Sequence, residues 1–118
     1  MAESIMLEKA KNFAVEIVEL CKTIKETKRE GVLTNQLIRS GTSIGANIHE
    51  SKYAHGTADF VSKMQIALKE CYESEYWLEL LNRTGYIPDD QYKKLQNTCG
   101  SIRRMLISSI NTTKENVK

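Results

Sequence analysis

Apolar residues in this chain recur at alternating spacings of four and three. Met6, Ala10, Phe13, Ile17, Leu20 and Ile24 form one line, and Phe60, Met64, Ala67, Cys71, Ser74, Leu78 and Leu81 a second. Tyr92, Leu95, Cys99, Ile102 and Leu106 form a third. This is the spacing of helices packed in a left-handed bundle. Alternation with a period of two runs nowhere over a useful length. The breaks between the lines are equally regular. Gly31, Gly56 and Gly85 each follow a periodic segment, as left-handed helix stops do, and Thr34 and Thr57 are the expected N-caps of the segments that follow. Pro88 stands where a first helical position belongs, with Asp89 and Asp90 behind it to suit the positive end of a helix dipole.

The pattern therefore predicts helices near 4–29, 34–55, 57–84 and 88–113, with a frayed tail after the last. Helices of this size span ~30–40 Å at about 1.5 Å per residue. Connections this short force neighbours to run antiparallel. The expected fold class is all-α, an antiparallel up-down-up-down four-helix bundle, forming a single domain over residues 1–118.

Two segments carry more than the bundle pattern needs. Gly41 and Gly45, one turn apart, place a smooth patch inside the second helix. Each glycine costs ~1 kcal/mol against alanine, which a tight helix crossing would offset; a local kink is the alternative. In the third helix Ile66, Trp77 and Leu80, with Tyr76 alongside, form a second apolar line rotated from the first. One stripe suffices for a four-helix core, so the second points to another surface to bury, by self-association. A wide core face with Trp77 at its edge is the plainer reading.

Charge and composition narrow the function classes. With 118 residues the chain is long enough for a full core, and 17 basic residues against 15 acidic make no demand for a polyanionic partner. No apolar run approaches the roughly 18 residues of a membrane span. The start of the chain has early acids and no apolar signal region, which places the expected location in the cytoplasm, away from membranes. Cys21, Cys71 and Cys99 are scattered singly on or beside the apolar lines, so they read as core packing.

Gly41-Thr42-Ser43-Ile44-Gly45 matches the G-x-S-x-G nucleophile elbow, but that chemistry needs a strand before the serine, and both flanks here are helical. A di-metal carboxylate bundle needs Glu-x-x-His on two helices. Neither His49 nor His55 has Glu three positions earlier. Glu50, Glu70 and Glu73 are thus weak candidates for a metal-dependent or carboxylate-dependent enzyme, and no metal, cofactor or catalytic residue is expected. A simpler use is an inter-helix polar ladder. Arg39, Ser43, Asn47 and Glu50 line one side of the second helix, and the turn at Gly56 brings the antiparallel third helix beside it. That register places Arg39 near Glu73, Ser43 near Lys69 or Glu70, and Glu50 near Lys63. Pairs of this kind favour register and partner choice more than stability.

Lys22, Lys25, Lys28, Arg29, Arg83, Lys93 and Lys94 come from two turns at one end of the bundle, diluted by Glu26, Glu30, Asp89 and Asp90. In one copy this is a solvated rim. Repeated around an assembly it becomes a multivalent surface for nucleic acid, with binding that falls steeply with salt. No RNA-recognition signature is present, and the tyrosines form no stacking platform.

The runs QLIRSGTSIGANIHES (residues 36–51) and DFVSKMQIALKECYESEYWLELL (59–81) resemble the bacterial four-helix bundle proteins related to the 23S rRNA intervening-sequence proteins. The matching positions are Gln36, Leu37, Arg39, Ser40, Gly41, Ser43, Ile44, Asn47 and Glu50 in one run. In the other they are Asp59, Phe60, Lys63, Ala67, Leu68, Glu70, Glu73, Tyr76, Trp77 and Leu78. His49 stands where the family often carries Glu, and Ser51 where it carries a small apolar residue. The resemblance implies an up-down-up-down bundle assembled as a homopentameric ring. A more distant similarity reaches the accessory protein of diversity-generating retroelements, a basic pentamer that partners a reverse transcriptase and RNA. This chain is not strongly basic, so that role transfers poorly, and neither branch supplies a catalytic residue. The expectation is a non-enzymatic homo-oligomeric scaffold presenting a repeated surface to RNA or a protein partner. A small enzyme using the carboxylates and a salt-insensitive protein-binding module are the alternatives.

Overall fold

In the computed structural model, which describes residues 2–116, the chain forms four helices: α1 (Ala2–Lys28), α2 (Val32–Ser51), α3 (Thr57–Arg83) and α4 (Asp89–Asn116). Each packs against its neighbour in sequence, and α1 meets α4 to close the square, so α1 and α3 lie on one diagonal and α2 and α4 on the other. The bundle measures 50 × 22 × 20 Å.

The expected seams are the core. Phe13, Ile17, Leu37, Ile44, Ile48, Met64, Leu78, Leu81, Ile102 and Leu106 are fully buried. Phe60 and Tyr92, the outermost seam positions, are half-buried against them. Cys21, Cys71 and Cys99 are free and buried in this core. Burial pushes the Cys21 thiol up to about 12. Contact with Cys71, then burial, raises Cys99 as well, and the Cys99 thiol donates to the Cys71 carbonyl at 3.5 Å. Thiols held protonated in this way are packing atoms, poor nucleophiles and poor metal ligands.

The glycine patch marks a close crossing. A Cβ on Gly41 would stand 3.1 Å from Ile17 Cγ2, and one on Gly45 would stand 3.5 Å from Ala10 Cβ. α2 runs as one helix from Val32 to Ser51, and its close contact with α1 accounts for the pair.

The turns differ from expectation in their details. Between α1 and α2 the left-handed residue is Arg29 (φ 55), whereas Gly31 has φ −124. Glu30 accepts the Leu33 and Thr34 amides on its carboxylate, each at 2.9 Å, and the Thr34 hydroxyl on its carbonyl. Thr34 is a buried residue inside α2 where a cap was expected. Partial burial works to raise the Glu30 carboxyl, but the hydrogen bonds from Leu33 and Thr34 outweigh it and hold the group below its ordinary value. At the next turn the N-cap is Gly56, one position before the expected Thr57, which is the first helical residue. Asp59 reaches back to accept the His55 amide at 3.1 Å. Gly85 (φ 87) ends α3 as predicted. Pro88 directly precedes α4 and accepts the Tyr92 amide at 2.9 Å. α2 ends at Ser51, before its expected limit, and α4 runs on to Asn116. The last two residues of the expected tail lie outside the described residues.

Candidate functional site

The crossing of α2 and α3 creates a polar line on the bundle surface. Ser74 Oγ donates to Ser40 Oγ at 2.9 Å in the buried interface and fixes the register of the two helices. Arg39, one residue outward from Ser40, then reaches α3. Its guanidinium pairs with Glu70 at 3.4 Å and with Glu73, and donates to Gln36 of its own helix at 3.2 and 3.3 Å. Trp77 Nε1 donates to the same Glu73 oxygen at 2.9 Å. Two turns and more along, Lys63 donates to Glu50 at 2.9 Å. That hydrogen bond and the charge behind it raise Lys63 above its ordinary value.

Ser43 departs from expectation. Asn47, one turn on, donates to its carbonyl at 2.9 Å and to its hydroxyl at 3.1 Å, so the two side chains pair within α2. Glu70 is taken by Arg39, and Lys69 is exposed with no ion pair among the described residues.

Beside the ladder runs the apolar line of α3. Ile66 is 41% exposed and Tyr76 56%. Trp77 and Leu80 are half-buried, with Trp77 packed at the edge of the core. The Tyr76 and Trp77 rings meet edge to face, centroids 5.0 Å apart. Sequence reading missed Val32, 77% exposed, which continues the Gln36–Arg39 line of α2 towards the same end of the patch. Starting the helix at Thr34 had placed it in a turn. Also missed was a cluster on the α3–α4 side, where Arg103 pairs with Glu75 at 2.8 Å and lies over the Tyr72 ring at 5.5 Å. No sequence spacing links partners 28 positions apart.

The basic rim divides into two sets. Lys28 donates to the carbonyls of Gly85 and Tyr86 at 3.2 and 3.4 Å, tying the end of α1 to the α3–α4 turn. Arg83 pairs with Glu79 at 3.2 Å on its own helix. Lys22, Lys25, Arg29, Lys93 and Lys94 make no ion pair among the described residues; all but the half-buried Lys25 are exposed. Between α1 and α4 an open groove of about 430 Å³ is lined by Glu16, Glu19, Leu20, Thr23, Gln91, Lys94 and Leu95. Among the described residues no three His, Cys, Asp or Glu side chains stand close enough to hold a metal ion. No helix among them is long and apolar enough to cross a membrane.

Comparison with known proteins places these features. The chain matches the family model described as 23S rRNA-intervening sequence protein over residues 2–108. It is also similar to a protein of unknown function from the S23 ribosomal protein family of Bacteroides thetaiotaomicron VPI-5482, whose crystal structure was determined at 1.70 Å. The two are 48% identical, with a TM-score of 0.92, over 94% of this chain and 99% of that one. No curated protein matches the chain.

Proposed function

The chain belongs to the 23S rRNA-intervening sequence protein family, and we propose that it is a non-enzymatic scaffold that assembles with copies of itself and presents a repeated rim to RNA or a protein partner. The observation that carries this reading is the α3 stripe. The core closes without Ile66 and Tyr76, which remain 41% and 56% exposed. Apolar and aromatic surface of this kind, flanked by an ordered ion-pair ladder, has the composition of an interface centre with its polar border. The copy number proposed is five, the number the family resemblance implies. Assembly would bring the unpaired cations Lys22, Lys25, Arg29, Lys93 and Lys94 of every copy to one end. A modest charge per copy then becomes a multivalent surface.

Native mass spectrometry of protein purified in low salt without nuclease tests the proposal. An assembled particle carrying mass that nuclease removes supports RNA as the partner. A bare assembled particle supports the scaffold and directs attention to proteins. A strictly monomeric particle at micromolar concentration, or stoichiometric iron, manganese or zinc, overturns the reading.

A further inference from the structure

The α3 stripe has a counterpart elsewhere on the same chain. On the outer face of α1, Val15 and Val18 are 57% and 41% exposed. Lys11 and Lys22 are eleven residues apart, as are Glu8 and Glu19, and eleven residues are close to three full turns. Each pair therefore forms a line along the helix. Val15 stands between the two lines. The Glu19 line borders the α1–α4 groove, which puts the lysine line on the side of α2. On α3 the order is reversed. Glu70 and Glu73 form the edge beside α2, where Arg39 holds them. The exposed Lys69 and Arg83 form the other edge, with Leu80 between.

Resting on the self-assembly reading, we propose that the outer face of α1 in one copy seats against the outer stripe of α3 in the next. Copies related by rotation about an axis along the bundle meet α2 side to α2 side. Lys11 and Lys22 then face the Glu70–Glu73 edge, and Glu8 and Glu19 lie on either side of Lys69 along the seam, the charge pattern that flanks the apolar seam of paired helices. One Arg39 guanidinium serves two carboxylates within the chain, so a lysine from the next copy completes the balance there. The two faces are different and lie on diagonal helices, which makes the contact head-to-tail. Such contacts close into a ring when, as the Lys11–Lys22 and Glu70–Glu73 edges place them, they are displaced towards the α2 side of both helices, and continue as filaments when they are not, whereas an α3-to-α3 contact stops at a dimer.

The heights agree as well. Gly41 lies on Ile17, and its neighbour Ser40 bonds Ser74. Val15 and Lys69 therefore stand within about two residues of the same level, near the middle of each face.

The test is a short bismaleimide applied to the folded protein carrying both Val15→Cys and Lys69→Cys. The native cysteines are buried and do not compete. The result expected is a ladder of covalent species beyond the dimer on a denaturing gel, with neither single variant cross-linking. Dimers from Lys69→Cys alone would establish an α3-to-α3 contact and overturn the inference. An assembled particle with no cross-linking in the double variant would also overturn it while leaving self-assembly standing. A monomeric particle removes both.

Discussion

Gly41→Ala and Gly45→Ala make the same chemical change one turn apart, yet they are expected to shift stability in opposite directions. Each replacement gains about 1 kcal/mol of helix propensity. At Gly45 the new methyl meets Ala10 Cβ at 3.5 Å, an ordinary contact, so the gain is retained. At Gly41 it meets Ile17 Cγ2 at 3.1 Å and Cγ1 at 3.3 Å, inside the roughly 3.5–4.0 Å optimum for carbon atoms. Ile17 is fully buried, so it can give way only by shifting against its packed neighbours. Overpacking of this kind costs about 1–3 kcal/mol, which outweighs the propensity gain and leaves Gly41→Ala destabilised by up to about 2 kcal/mol. Urea unfolding followed by circular dichroism, at one fixed protein concentration, measures both. In an Ile17→Ala background the methyl would enter the vacated space, and Gly41→Ala should become stabilising. Equal stabilisation by both variants in the native background would refute the close-crossing argument.

Two further outcomes follow from the same geometry. Glu73→Gln removes the charge that Arg39 and Trp77 share, so it should weaken assembly several-fold. Glu115→Gln, on the exposed last turn of α4, should leave it unchanged; equal effects on particle mass and melting would remove the ladder from the interface. Glu30 has a lowered carboxyl in the folded chain, so its contribution is present above the ordinary carboxylate value near 4.3 and is lost as pH falls through the folded value. Glu30→Gln should therefore cost about 1 kcal/mol at pH 7, the worth of a helix cap, and distinctly less at pH 3. A pH-independent difference in urea midpoints would show that the cap does not act through its charge.

The bundle was legible because one physical signal dominated it. Apolar residues at four-and-three spacing have only one face to bury, Gly85 can take the left-handed stop that side chains disfavour, and Pro88 has a fixed φ, so helix type, order and direction followed. Boundaries were less legible where a side chain outcompeted a backbone preference. Glu30 capped α2 through two amides, and the left-handed stop of α1 fell on Arg29, two positions before Gly31. The ladder was half legible for a related reason. An antiparallel register places Arg39 beside Glu73 and Glu50 beside Lys63 whatever their rotamers. Ser43 had a competing partner one turn away in Asn47, and a short hydroxyl takes the nearer donor. Val32 was hidden by the misplaced start of α2. The function was least legible, because an exposed stripe states that surface needs covering and leaves the identity of the cover to charge and shape.

Self-assembly through the α3 stripe is tested most directly by the particle mass of a Tyr76→Glu variant beside the unaltered chain, measured by light scattering at micromolar concentration. Tyr76 is 56% exposed, so the substitution leaves the core intact while placing a charge on the exposed border of the stripe. The account predicts an assembled particle for the unaltered chain and a folded monomer, with unchanged helical circular dichroism, for the variant. A monomeric unaltered chain, or a variant that assembles as well as its parent, would contradict it.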